Sequence, residues 1–216
     1  MRDVLLATRS AGKIRELQPM LEAAGLRGVT LDSVGVPYAP EEDGIECFET
    51  FEENARAKAR WFSARADGMI VLADDSGLAV DALAGAPGVR SKRWATEPGP
   101  DGHALDGAAL DAANNLKLLR ELSSANERRA RYVCVVAIVW PQGEISARGE
   151  CGGRILTAPS GDGGFGYDPY FSSEELRESF GSASLEAKAR VSHRGRAVRA
   201  ALARFVARDE KRAPSR

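Results

Sequence analysis

The chain has 216 residues, enough for one large domain or two closely joined lobes. Apolar residues make up 44% and charged residues 28%, and 30 Lys and Arg stand against 31 Asp and Glu. That near-neutral balance excludes a general attraction to nucleic acid or to an anionic membrane, so any phosphate chemistry has to come from locally placed charge.

The pattern along the chain alternates strands with helices. Val4 to Thr8 reads as a buried strand, Arg9 to Lys13 as a turn, and Ile14, Leu17, Met20 and Leu21 recur at helical spacing. This unit sets the backbone N–H groups of the turn at a helix N-terminus. The apolar run Val4–Ala7 is too short for a signal peptide. A second strand and a loop fill Leu26 to Pro40. Thr50-Phe51-Glu52-Glu53 has capping-box spacing and starts a helix through Asn54, Lys58 and Trp61 to about Ala66. Met69 to Ala73 is a short apolar strand ending at Asp74-Asp75-Ser76-Gly77, with Leu78-Ala79-Val80 following. Ala84 to Gly88 is a turn-rich loop. An amphipathic helix spans Ala104 to Leu122, and Tyr132–Trp140 with Glu144–Gly149 forms a hairpin around Pro141-Gln142-Gly143. Cys151 to Phe171 reads as loop with short strands. Ala183 to Ala207 is helix interrupted near Ser192-His193-Arg194-Gly195, and the charged stretch from Arg208 onward is a frayed tail. One domain over residues 1–208, of α/β class with a mixed sheet and flanking helices, is the expectation.

Cys47, Cys134 and Cys151 show no CxxC spacing and have no nearby His, which argues for reduced thiols rather than a zinc site or disulfides. No apolar run approaches the roughly 20 residues of a membrane helix. Both point to a cytoplasmic protein.

Five groups of residues can carry chemistry. Thr8-Arg9-Ser10-Ala11-Gly12-Lys13 can hold phosphate with N–H groups, hydroxyls, a lysine and the helix dipole, or be an ordinary helix entry. It fails the Walker pattern, with Ala7 and Ile14 where glycine and Ser or Thr are needed. Asp74 and Asp75 behind an apolar strand suit a magnesium anchor better than a polar turn, and as neighbours on a strand they face opposite ways. Glu41, Glu42, Asp43, Glu46 and Glu49 form an acidic face from which one member can reach a site, with Lys58 one turn beyond Asn54. Gly161 to Pro169 carries four glycines that permit close backbone approach, and Phe165 and Tyr167 can stack on a base. Lys188 and His193-Arg194 can cap a helix end or donate to a carbonyl or phosphate. His103 is given no role.

Taken together, LLATRSAGKIREL, TFEENARAKA, LADDSGLAVDALAGAPGV, GGFGYDPYF and KARVSHRGRA resemble the inosine triphosphate pyrophosphatase family, over Leu5 to Ala197. The resemblance implies an elongated α/β fold of two lobes with a nucleotide-binding cleft, as a homodimer. It implies Mg2+-dependent hydrolysis of ITP, dITP and XTP to the monophosphate and pyrophosphate, with a nucleotide as partner and no nucleic acid or membrane. Matched residue by residue, Asp75 corresponds to the catalytic acid that activates water and binds metal, and Glu46 to a second metal-binding acid, with Glu42 as the alternative. Thr8, Arg9, Ser10, Ala11, Gly12 and Lys13 match the triphosphate loop. In the mechanism this suggests, Lys58 with Lys13 would stabilise the phosphate tail. Ser76, Phe165, Gly166, Tyr167, Asp168, Lys188, His193 and Arg194 match substrate contacts. The family usually reads Thr-Gly-Asn where this chain has Thr8-Arg9-Ser10, which leaves Arg9 able to add a phosphate contact of its own. Cys47-Phe48-Glu49 also stands where small residues are usual. A broader nucleoside triphosphatase, or a nucleotide-binding or RNA-binding regulatory protein, are the rival readings.

Overall fold

The computed structural model describes residues 1–95 and 105–210; His103 lies outside them. In chain order the elements are β1 (Arg2–Leu6), α1 (Ala11–Ala23), β2 (Leu26–Thr30), α2 (Phe51–Ser63), β3 (Ile70–Val80), α3 (Gly107–Glu121), β4 (Arg129–Trp140), β5 (Gly143–Ile155), β6 (Phe171–Ser173), α4 (Leu185–Val191) and α5 (His193–Glu210). The strands form one six-stranded sheet in the order β2-β1-β3-β4-β5-β6. β1 runs parallel to both β2 and β3, and β5 runs antiparallel to β6, so the sheet is mixed. This is the expected α/β class.

Two compact units divide the chain. The first comprises Met1–Asp75, Cys134–Gly149 and His193–Arg216, the second Ser76–Val133 and Glu150–Ser192. The core of the first joins Val4, Leu6 and Leu72 of β1 and β3 to Leu17 and Leu21 of α1, Val136 and Ile138 of β4, and Ala197, Ala201 and Phe205 of α5. Leu17 and Leu21 lie one helical turn apart, so one face of α1 closes on the sheet. The close approach of α5 to β5 requires Gly149: a Cβ there would lie 2.3 Å from the His193 carbonyl oxygen. The core of the second unit centres on Tyr132, Phe171 and Phe180, with Leu78, Val80, Leu118 and Tyr167 around them. Tyr132 stacks on Phe180 at 5.9 Å and meets Phe171 edge-on at 4.7 Å.

Several elements differ from the sequence expectation. β3 does not stop at Ala73 but continues through Asp74-Asp75-Ser76-Gly77 to Val80. Leu78 and Val80 are fully buried, and that apolar burial overrides the turn tendency of the four residues before them. β5 likewise extends to Ile155. α2 ends at Ser63, short of Ala66. The expected interruption of the last helix is real and confined to Ser192. α5 runs past Arg208 to Glu210, and the rest of the charged tail lies outside the described residues.

Candidate active site

In the first unit, three helices bring charged side chains to Asp74 and Asp75 in the middle of β3. Ser10 is the N-cap of α1, its hydroxyl accepting the Lys13 N–H at 3.4 Å. Lys13 then points back to β3, donating to the Asp74 carbonyl at 3.3 Å and to its carboxylate at 3.1 Å. Arg194 of α5 donates from Nε to the same carboxylate at 3.1 Å and from Nη1 to Glu16 of α1. The Cys134 thiol lies 3.9 Å from Asp74. Burial would raise Asp74, but Lys13, Arg194 and Lys58 outweigh it and hold the carboxyl far below the usual carboxylate range. Asp74 is thus a permanent anion that fixes two cations.

Asp75 faces the other way, as strand alternation requires, and meets α2. Its Oδ2 accepts from the Asn54 amide at 3.0 Å, and Asn54 also exchanges bonds with both backbone groups of Phe48, at 2.9 and 3.1 Å. Lys58, one turn on, is buried and donates to Glu46. Burial pushes the Asp75 carboxyl up and Glu46 adds to that, against Lys13, Lys58 and the Asn54 amide; the balance leaves it at about 6. Burial opposes the charge on Lys58, yet Glu46, Asp74 and Asp75 raise it above the ordinary lysine range. Glu46 shows the converse: Lys58 and Lys13 overcome burial and lower it.

Arg9, Glu42 and Arg194 are each engaged within the protein. Arg9 turns to the acidic segment. Its guanidinium grips Glu42 in two bonds, at 2.8 and 2.7 Å, and reaches the Val36 carbonyl and the Asp32 carboxylate at 3.3 Å each. Glu42, the alternative metal acid, is spent on that pair. Arg194, matched to a substrate contact, is 2% exposed with its donors on Glu16 and Asp74. His193 beside it is also buried. Glu16 was not singled out from the sequence, and Asn54 entered only as the residue one turn before Lys58. The available signals were faint: Glu16 is three residues after Lys13, and Asn54 is four before Lys58.

In the second unit, the glycine-rich stretch wraps Asp168. Its Oδ2 accepts from the Phe165 N–H at 2.8 Å and from Lys188 at 2.5 Å, and Tyr132 donates to Oδ1 at 3.4 Å. Gly164 has φ +74°, and a Cβ there would sit 2.2 Å from the Asp168 carboxylate, so only glycine fits. Lys188 lies 5.3 Å from the centre of the Phe165 ring. The Gly166 N–H donates to Asp111 and its carbonyl accepts from Asn115, at 2.8 and 2.9 Å. Tyr167, expected as a stacking surface, is instead 4% exposed with its hydroxyl on the Ser91 carbonyl at 2.8 Å. Phe165, half-buried, keeps that capacity. Ser76, also half-buried, follows Asp75 on β3.

Among the described residues no three His, Cys, Asp or Glu side chains form an all-protein metal cage. Asp75 and Glu46 nevertheless suit a hard cation that takes one or two carboxylates and completes its shell with water and substrate phosphate. The repulsion that Asp75 feels from Glu46 is what a cation between them would relieve.

A loop at a helix N-terminus, buried lysines and paired acids on a central strand are parts for handling a polyphosphate. Comparison with known proteins agrees. The chain is 46% identical over 196 residues to a dITP/XTP pyrophosphatase of Syntrophobacter fumaroxidans, covering 90% of this chain and 78% of that one. It is 44% identical to a dITP/XTP pyrophosphatase of Acidobacterium capsulatum, covering 93% and 96%. Among solved structures, the Ham1 protein of Staphylococcus aureus superposes with a TM-score of 0.75 at 32% identity, covering 96% of this chain and 100% of that one. The HAM1 protein of Coxiella burnetii does so with a TM-score of 0.76 at 30% identity, covering 95% and 99%. With the Ham1 family model matching residues 4–204 as well, the chain belongs to the Ham1 family.

Proposed function

We propose that this protein hydrolyses the non-canonical purine nucleoside triphosphates ITP, dITP and XTP to the monophosphate and pyrophosphate, using Mg2+ held by Asp75 and Glu46. The observation that carries the reading is Asp75 itself, a buried carboxylate among Lys13, Lys58 and Glu46 and oriented by Asn54. When bound, the metal neutralises charge on the phosphate oxygens. Lys13, Lys58 and the first N–H groups of α1 at Ala11 and Gly12 receive the triphosphate. Asp75 takes a proton from the attacking water; its oxygen adds to the α-phosphorus and pyrophosphate leaves. A carboxyl raised to about 6 is a stronger base than a surface carboxylate and is still ionised at neutral pH. Asp74 holds Lys13 and Arg194 and takes no proton.

Base selection rests on the 6-carbonyl of hypoxanthine and xanthine. The N–H groups of Phe165, Gly166 and Asp168 are used within the protein. Donation to the carbonyl therefore falls to side chains, and within the second unit Phe165 offers a face to a base. Adenine would leave the donor unmatched. Pyrophosphate release from ITP, XTP, GTP and ATP, each with and without Mg2+, tests this. We expect ITP and XTP to exceed ATP in kcat/KM by roughly 10²-fold or more, with no release in EDTA. Equal values for all four would end the base-selection reading. A homodimer accompanies the proposal on the strength of the resemblance, and a cytoplasmic location on the cysteine pattern and the absence of a long apolar run in the sequence; sedimentation tests the first. No described helix is long and apolar enough to cross a membrane.

The raised Asp75 carboxyl has a consequence for stability. A carboxyl pushed up to about 6, above the ordinary 3.8, contributes stability that is complete below about pH 4 and lost as pH rises through 6. At pH 8 the metal-free protein forfeits on the order of 3 kcal/mol at this group. Glu46 and Asp74 are lowered and act the opposite way, only in acid. Melting curves in EDTA at pH 5 and pH 8 should show the wild type losing more than Asp75→Asn over that interval, and Mg2+ should restore the wild type alone. Parallel behaviour of the two proteins would refute the shift.

A further inference from the structure

From Leu31 to Thr50 the chain has neither strand nor α-helix, and only Leu31 and Val36 are buried. Yet this segment carries Glu46, the acid assigned to the metal. Loosely packed chain of this kind does not hold a carboxylate in one place unless something ties it down. Two ties are evident. Asn54 binds both backbone groups of Phe48 and so fixes the far end. At the near end is Arg9, from the phosphate loop itself.

Four of the five N–H donors of Arg9 are engaged, all with this segment: two with the Glu42 carboxylate, one with the Val36 carbonyl and one with Asp32. Its guanidinium also lies 5.8 Å from the centre of the Tyr38 ring, and the Tyr38 hydroxyl donates to Asp43 at 2.7 Å. The Glu42 side chain is only 10% exposed and additionally accepts the Ala39 N–H at 3.2 Å. The Glu42 carbonyl accepts the N–H of Ile45, the residue before Glu46. A planar fork on a carboxylate fixes orientation as well as distance, which a lysine cannot do.

We propose that Arg9 is a positioning residue, a clamp that ties the Glu46-bearing segment to the triphosphate loop so that Glu46 is held ready for the metal. This deepens the pyrophosphatase reading and rests on it for the assignment of Glu46. It also gives Arg9 a use other than direct contact with phosphate.

The test compares wild type with Arg9→Gln, Arg9→Lys, Glu42→Gln and the Arg9→Gln/Glu42→Gln double variant. One readout is Mn2+ binding to the protein without nucleotide, by electron paramagnetic resonance. The other is the Mg2+ dependence of pyrophosphate release from ITP. Each single variant is expected to weaken Mn2+ binding and to raise the half-saturating Mg2+ roughly 10-fold, as outer-shell supports of metal ligands do. At saturating Mg2+ kcat should stay within about 3-fold of wild type, since the group that takes the proton is untouched. Arg9→Lys should recover only part of the loss, and the double variant should be no worse than either single one. If Glu42→Gln leaves Mn2+ affinity unchanged while Arg9→Gln raises the KM for ITP, Arg9 contacts phosphate and the clamp is overturned. Additive losses in the double variant overturn it too. Wild type that binds Mn2+ but releases no pyrophosphate from any nucleotide would instead sink the pyrophosphatase reading, with the clamp still measurable by Mn2+ affinity.

Discussion

Asp75→Asn should lower kcat by on the order of 10³-fold or more while leaving nucleotide binding within a few-fold of wild type. The substitution keeps the shape of the side chain and an oxygen for the Asn54 amide, now 3.0 Å from Oδ2. It removes the negative charge and the ability to accept a proton. General-base assistance is worth about 10² to 10⁴, and loss of a carboxylate proposed to hold Mg2+ should add to it. Lys13 and Lys58, proposed to receive the triphosphate, are untouched, and with less negative charge beside them they should hold it at least as well. Single-turnover pyrophosphate release and ITP titration by calorimetry separate the two effects. Turnover within 10-fold of wild type would move the base to another residue. Asp74→Asn serves as contrast. It removes the anion that Lys13 and Arg194 share, so it should cost stability as well as rate.

Arg194→Ala should be the most damaging substitution for the fold of the first unit, at about 3 to 5 kcal/mol. The guanidinium is 2% exposed and lies between Glu16 and Asp74, at 5% and 1%. Burial works against its charge, but Glu16 and Asp74 hold it above the ordinary arginine range. Removing it takes a cation away from two buried carboxylates, Glu16 and Asp74, the second of which keeps Lys13. For a chain of this size each kcal/mol shifts Tm by about 2 to 4 °C, so the expected drop is about 6 to 20 °C. Arg194→Lys, which retains charge but not the fork, should fall between. A drop under about 3 °C in thermal melts would show that water screens the two acids. The metal-free protein is the right sample, because bound ligand would mask the loss by mass action.

Much of the scaffold was legible along the chain because its signals are local. Thr50 is a helix cap where spacing placed it, and the break at Ser192 falls inside the expected window. Alternating strands and helices led to the α/β class, which needs only the periods 2 and 3.6 to be read. The acids of β3 were identified as chemically significant but misplaced at a strand end. Nothing local to Asp74-Asp75-Ser76-Gly77 announces that Leu78 and Val80 will be fully buried beyond it.

The sequence by itself therefore determined which elements form, the wording of the motifs, and the family that wording resembles. Only the tertiary structure decided how the charges are shared out. It gave Asp74 to Lys13 and Arg194, Asp75 to Asn54, Arg9 to Glu42 and the Tyr167 hydroxyl to Ser91. Those pairings join residues from 21 positions apart, for Asn54 and Asp75, to 120, for Arg194 and Asp74. The physical reason is that a local pattern sets backbone conformation through near neighbours. The ionisation and orientation of a buried side chain depend on whichever distant charge the fold brings within a few ångströms of it.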